Sequence, residues 1–273
     1  MSSSGATVAA LYRHPVKGLS PEPLEQVELK AGDYFPDDRL YAVENGPSDY
    51  DPAAPAFRPK TAYLMLMRHA RLAALHSRYD SETATLVLER NGVEVARGRL
   101  TTPEGCRAIE AFLSGYMGLD ASGPLRVLAA PPQGFRFMDS AKYGFVSLLN
   151  LATVRALGDE MGAQPDPLRF RMNIHLDGWA PNAELDLVGR QIRLGEARLT
   201  LLKRTVRCPA TQVNPQTATR DMDIQQALRT AWGHMDCGVY ARVDEGGWVR
   251  TGDSISIEPV QKEVAFNHPA GAD

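Results

Sequence analysis

Residues 171–176, 191–194, 198–203, 238–243 and 248–250 are short runs in which apolar and polar side chains alternate, separated by Gly, Pro or Asn. Such runs read as strands, because a period of two puts every second side chain on one face. The first part of the chain repeats the pattern at 7–12, 25–29 and 40–44, and at 86–89 and 93–96 on either side of Asn91-Gly92, a hairpin signal. Helical signals are few. Thr102-Pro103 pairs a capping threonine with a proline at the first helical position, and Ile109, Phe112, Leu113, Tyr116 and Met117 then form an apolar face before Gly118. Ser147 is read as the cap of a second helix with Leu148, Leu151, Val154 and Leu157 inward, closing near Gly162. Asp221 or Asp223 caps a third, over 224–232, and the proline-rich stretch 48–59 is an exposed loop. Many short strands with a few inserted helices predict an α+β fold rich in β-barrel structure.

At 273 residues the chain suits one large or two modest domains, and 44% hydrophobic with 23% charged residues is ordinary for a globular protein. A net charge of −3 and a pI near 6.1 argue against a nucleic-acid partner bound through a global basic field. Three cysteines, Cys106, Cys208 and Cys237, are too few for a disulfide scaffold or a four-cysteine iron–sulfur cluster, and fit a reducing compartment. No apolar run approaches the roughly 20 residues of a membrane span. Residues 1–7 lack the basic and apolar regions of a signal peptide. The expectation is a cytoplasmic protein with neither a membrane nor a nucleic-acid partner.

Chemistry concentrates around Cys208. Lys203, Arg204 and Arg207 lie within five residues of it, and nearby cations favour a thiolate. Pro209 ends any strand there, which places the sulfur at a strand end where a loop begins. Such a thiolate suits a soft metal or sulfur chemistry on an anionic ligand; a small residue packed in a basic turn is the plainer alternative. Upstream, Arg169 and Arg171 alternate along the expected strand, with Asn173 at its end. They form either a clamp for a phosphate or polarised heterocycle, or a solvated strand face. His234-Met235-Asp236-Cys237 lacks the second ligand pair of a structural zinc site and reads as a turn into a strand. Cys106 falls on the first helix and reads as structural. Hydrolase, NTPase and dinucleotide fingerprints are missing from the sequence.

Several segments, taken in order, resemble the MOSC domain, named after the C-terminal domain of molybdenum cofactor sulfurases and found in the mitochondrial amidoxime-reducing component and its bacterial relatives. These are Arg169-Phe170-Arg171-Met172-Asn173, Gly189 to Gly195, Arg207-Cys208-Pro209-Ala210-Thr211, Val213-Asn214-Pro215-Gln216-Thr217, Cys237-Gly238-Val239-Tyr240 and Val249-Arg250-Thr251-Gly252-Asp253. His14-Pro15-Val16-Lys17-Gly18 and Asp38-Arg39-Leu40-Tyr41 resemble motifs of the N-terminal β-barrel domain that accompanies it. The resemblance implies two units, 7–125 and 126–260.

It also implies a bound molybdenum cofactor, a metal–molybdopterin with Cys208 as catalytic residue and protein ligand of the metal. Lys17 and Arg39 would help hold its phosphate and pterin, with Ser147, Arg169, Arg171, Asn173, Arg207 and Asn214 completing the cofactor-binding set. Gly18 replaces a serine usual in the family, and Asn214 replaces an aspartate, removing a charge. The implied activity is reduction of an N-hydroxylated or N-oxide small-molecule substrate. Two alternatives are a sulfur carrier with a Cys208 persulfide and a non-catalytic cofactor carrier. The sequence carries no flavin or nicotinamide fingerprint, and no ferredoxin-like domain like that of larger bacterial relatives. Electrons are therefore expected from a separate electron-transfer protein.

Overall fold

A computed structural model describes residues 5–140 and 145–259. Its strands are β1 (Ala6–Arg13), β2 (Glu22–Leu24), β3 (Gln26–Leu29), β4 (Tyr41–Asn45), β5 (His76–Asp80), β6 (Thr85–Arg90), β7 (Val93–Arg99), β8 (Leu125–Ala129), β9 (Val146–Asn150), β10 (Ile174–Asp177), β11 (Gln191–Leu194), β12 (Ala197–Val206), β13 (Asp236–Glu245), β14 (Gly247–Arg250) and β15 (Ser254–Ile257). Its α-helices are α1 (Pro103–Met117), α2 (Leu151–Met161), α3 (Ala183–Asp186) and α4 (Ile224–Trp232).

The order β10-β9-β13-β12-β11-β15-β1 returns to β10 and closes a seven-stranded barrel, with β2 added beside β1. Closure pairs the edges these short strands would otherwise expose. All neighbours run antiparallel except β9 and β10. Leu148, Ile174, Ile192, Leu199, Leu201, Val239 and Ile255 belong to its buried core. Along β12 the buried positions alternate, and its register against β13 slips after Leu201 and again after Arg204. Such bulges re-aim the side chains that follow them, here those leading to Cys208.

A second core forms where α1 packs against β7 and β8, around Leu86, Leu88, Ile109, Leu113 and Met117. Thr102 caps α1 by accepting a hydrogen bond from the Gly105 N–H, with Pro103 next, as the sequence predicts. A Cβ on Gly105 would lie 2.1 Å from the Arg99 carbonyl, so only glycine admits this approach of helix to strand. The barrel draws on both of the expected units. β1 from Thr7 onward and β2 fall within 7–125 yet pair into the barrel sheet, and β3 pairs with β14.

Two local expectations are corrected. Ser147 is not a helix cap: it lies in the buried strand β9, and Asn150 caps α2 through its Oδ1, which accepts from the Ala152 N–H. Pairing of Leu148 with β10 and β13 overrides the helical spacing of Leu148, Leu151 and Val154. Arg169 and Arg171 do not share a strand face. Asp166 accepts from the Leu168 N–H, Pro167 follows, and Pro167–Phe170 winds into a 3-10 turn that ends at Arg171 with φ of 54°. Strand β10 begins only at Ile174. Strands β2, β5, β8 and β15 were not signalled by alternation; β5 buries one residue, Tyr79. Within the proline-rich stretch, Tyr50 is buried against Phe137 rather than exposed.

Asn173 and Ser147 lock the barrel just beneath these arginines. Asn173 Oδ1 accepts from Ser147 Oγ at 2.7 Å and from its N–H at 3.2 Å, while Nδ2 donates to the Tyr12 carbonyl at 3.2 Å. Asn173 is fully buried. Asn173→Ala is expected to cost about 3 kcal/mol in urea unfolding, since each buried polar group left without a partner costs ~1–3 kcal/mol. A change within experimental error would remove this residue from the framework.

Candidate functional site

The end of β12 delivers Cys208 to the wall of a cavity of about 310 Å³. Pro209 opens the 3-10 turn Pro209–Gln212, and the Cys208 carbonyl accepts from the Thr211 N–H at 3.1 Å and its Oγ1 at 3.0 Å. The backbone thus fixes the turn and leaves the half-buried sulfur on the cavity wall. Arg207, buried just before it, lies over the Phe170 ring at 5.2 Å and donates to the Phe170 carbonyl and to Met172 Sδ. Its Nε is buried without a partner.

Residues far apart in sequence meet here. Lys17, in the loop after β1, is 7% exposed; its Nζ donates to the Phe137 carbonyl at 3.0 Å and pairs with half-exposed Asp139. Burial pulls the lysine below its ordinary pKa, against the opposing pull of Asp139. Gly18 follows with φ of 86°, and a Cβ there would strike the Leu64 carbonyl at 2.8 Å. Arg39 is positioned by Asp38, which is buried behind it, and its NH2 donates to the Arg171 carbonyl at 2.9 Å. Burial opposes the charge on Arg39, yet the Asp38 carboxylate outweighs it and raises the pKa. His14 packs beside Asp38, and burial together with the Arg171 and Arg39 charges holds it neutral, its pKa lowered to about 3.

The two arginines of the 3-10 turn differ in kind. Arg169 is 4% exposed and ion-paired: NH2 meets Asp221 Oδ1 at 2.6 Å and NH1 meets the Gln212 carbonyl at 3.0 Å. Arg171 makes no ion pair with any described carboxylate; its NH1 donates to the Leu19 carbonyl at 2.8 Å. Burial, then repulsion from Arg39, lowers its pKa to about 9. A half-buried guanidinium without a paired counter-charge among the described residues carries a desolvation cost that an anion in the cavity would relieve.

Lys17, Arg39, Arg169, Arg171 and Arg207 line this cavity together with Lys60, Lys203 and Arg204. Among the described residues Asp139 is the one carboxylate in the lining. The mildly acidic protein therefore carries a concentrated local positive field. Ser147 and Tyr240 also reach the wall, and burial raises the Tyr240 phenol so that it stays protonated at neutral pH.

Two candidate cofactor residues lie outside the lining. Asn173 has the structural bonds already described. Asn214 sits behind the wall: its Nδ2 donates to Asp221 Oδ2 at 2.6 Å, and Asp221 in turn holds Arg169. It reaches the cavity wall through that chain. Arg220 ties the cysteine turn to the other wall, donating to the carbonyls of Pro209, Leu66 and Met67. Among the described residues no group of three or more His, Cys, Asp or Glu is placed to hold a metal ion. A metal at Cys208 would need most of its ligands from a chelating cofactor. Cys237 is buried in the core, its thiol pushed up to about 12 by burial, and Cys106 donates to the Leu100 carbonyl from α1.

The residues from Asp139 to Ser256 match the family model of the MOSC domain. Residues 139–256 form a MOSC domain. Comparison with curated proteins gave no match. Among solved structures, the YuaD protein of Bacillus subtilis is similar over 92% of this chain and 93% of its own, at 13% identity and a TM-score of 0.42. YiiM of Geobacillus stearothermophilus is similar over 42% of this chain and 54% of its own, at 18% identity and a TM-score of 0.34. The MOSC domain carries Ser147, Arg169, Arg171, Arg207 and Cys208, whereas Lys17 and Arg39 reach the same cavity from outside it. Asp38, Asp139, Asp221 and Tyr240 were missed in the sequence. Asp38 adjoins Arg39 and Tyr240 lies in a segment already singled out, but only their positions in space reveal them as partners. Among the described residues no helix is long and apolar enough to cross a membrane.

Proposed function

We propose that the MOSC cavity holds a molybdenum–pterin cofactor with Cys208 as the metal's protein ligand, in an oxidoreductase acting on N-hydroxylated or N-oxide small molecules. The observation that carries this reading is a thiol on the wall of a cation-lined cavity in which Arg171 has no paired counter-charge among the described residues. The donor set fits such a group. Lys17, Arg39, Arg171 and Arg207 offer N–H donors to phosphate and heterocycle oxygens, the unpartnered Nε of Arg207 among them. One soft thiolate suits a metal that brings its other ligands with it. When bound, the cofactor supplies the two-electron redox chemistry.

The chain's own residues do the rest. Arg39, fixed by Asp38, and Lys17, fixed by the Phe137 carbonyl and Asp139, orient the anionic end. Tyr240 keeps its proton and offers a hydrogen-bond donor at the wall. Overall, an R–NHOH substrate takes up two electrons and two protons; the N–O bond breaks, giving R–NH2 and water. The electrons come from a separate electron-transfer protein, since three cysteines are too few for a four-cysteine iron–sulfur cluster, Cys237 is buried in the core and Cys106 bonds to the Leu100 carbonyl.

The test is turnover of benzamidoxime by purified protein, alongside molybdenum and pterin analysis. The expected result is one molybdenum per chain, inactivity with NADH alone, and turnover with a viologen reductant. Sustained turnover with NADH alone would overturn the need for an outside carrier. Labile sulfane sulfur on Cys208 without molybdenum would replace the reading with sulfur transfer.

A further inference from the structure

Beside the cationic cavity lies a second of about 130 Å³ whose chemistry differs. Its wall is mostly apolar, with Leu19, Leu66, Ala73, Leu168, Val213 and Pro215 among the lining residues. The two cavities share Gly18, Leu66, Arg169, Arg171 and Ala210, so they adjoin across a thin partition, and Ala210 is two residues from Cys208. The polar groups here are few. The Ser20 hydroxyl is engaged with Ser77, at 2.7 Å from its N–H and 3.0 Å from its Oγ. His76 and Gln216 are exposed.

We infer that this annex receives the apolar ring of the small-molecule substrate, whose N-hydroxylated head reaches into the Cys208 cavity. The inference rests on the proposed function and adds a substrate class: a single unsubstituted aromatic ring, or an alkyl group of similar size, joined to a compact N–O head. Size agrees, because an apolar cavity of about 150 Å³ takes up benzene. Chemistry agrees too. Planar guanidinium groups such as those of Arg169 and Arg171 stack on ring faces, and the remaining wall is mostly apolar, with Ser20, His76 and Gln216 as its other polar residues. A heterocycle with N–H groups along its edge fits poorly, since the arginines only donate and the Ser20 hydroxyl is taken.

The annex is tested by ligand-observed NMR titration of the purified protein with three probes: benzohydroxamate (ring and head), acetohydroxamate (head alone) and benzyl alcohol (ring alone). Benzohydroxamate is expected to bind at least about tenfold more tightly than acetohydroxamate, which corresponds to ~1.4 kcal/mol. Benzyl alcohol should bind weakly, with saturation transfer from aliphatic methyl groups. Ala73→Phe fills the annex and Gln216→Trp covers its exposed side. Both should abolish the tenfold preference and the benzyl alcohol signal, while acetohydroxamate affinity stays within about twofold. Gln216 is exposed, so its variant carries the test if Ala73→Phe fails to fold. Equal affinity for the two hydroxamates, or a ring preference that survives both variants, overturns the annex. Acetohydroxamate binding with no ring preference leaves the oxidoreductase reading standing. Ring binding with no response to either head group supports the annex and counts against that reading.

Discussion

Cys208→Ser is expected to reduce metal retention and turnover to background while unfolding within about 0.5 kcal/mol of the parent, the range of substitutions that disturb no packing or buried bond. The two effects separate because of how the turn is built. Thr211 bonds to the Cys208 carbonyl, so the backbone keeps its conformation whichever side chain is present. Serine preserves size, but its hydroxyl stays protonated near neutral pH and is a poor ligand for a soft metal. The check is metal analysis beside urea unfolding of both proteins. Parent-level turnover in the serine variant would reduce Cys208 to a packing residue. A large loss of stability would show the sulfur holding the turn in a way its geometry does not indicate.

What the sequence revealed follows from how local each determinant is. The bounds of α4 and the cap of α1 were legible because cap, apolar spacing and terminating glycine lie within one stretch of chain. The bounds of β11 were legible because Gly189 and Gly195 flank it. The barrel was legible as a class, from many short strands, but its closure through β1 depends on pairing between residues about 165 positions apart. Ser147 misled because Leu148, Leu151 and Val154 satisfy a helical spacing that the β9 pairing overrides. Arg169 and Arg171 misled because the Asp166-Pro167 cap outcompetes the apparent alternation. Within the site, Lys17, Arg39 and Cys208 could be named from local motifs. Asp139 and Phe137, the partners of Lys17, come from a distant segment; Asp38 adjoins Arg39, yet nothing in the local pattern marks it as a partner, or Asn214 as the support of Asp221 rather than of a ligand.

The contrast between Arg171 and Arg169 gives the second large effect. Arg171→Ala is expected to weaken binding of inorganic phosphate, a simple probe of the anion site, roughly ten- to a hundredfold, the equivalent of a charge-assisted hydrogen bond of ~1.5–3 kcal/mol. Stability without a ligand should hold or rise, because the variant removes a half-buried charge with no paired carboxylate among the described residues. Arg169→Ala should do the reverse and lower stability by about 2 kcal/mol. That is less than the ~3–5 kcal/mol for breaking a fully buried pair, because its partner Asp221 is 35% exposed.

The pH dependence follows from the same residue. Burial and Arg39 hold Arg171 near 9, below its ordinary value of 12.5, so between those limits the folded protein binds fewer protons than the unfolded chain. The stability contribution of Arg171 therefore rises with pH across that window. Phosphate affinity should fall as pH passes about 9, because the ligand needs the charged form. Lys17, also lowered, faces the same cavity and will steepen the loss. In Arg171→Ala the fall should shrink to the part due to Lys17. Titrations between about pH 7 and 10 on both variants decide the matter: an unchanged pH profile in Arg171→Ala, or equal losses of affinity and stability in both variants, would show that Arg171 is part of the framework rather than the contact for an anion.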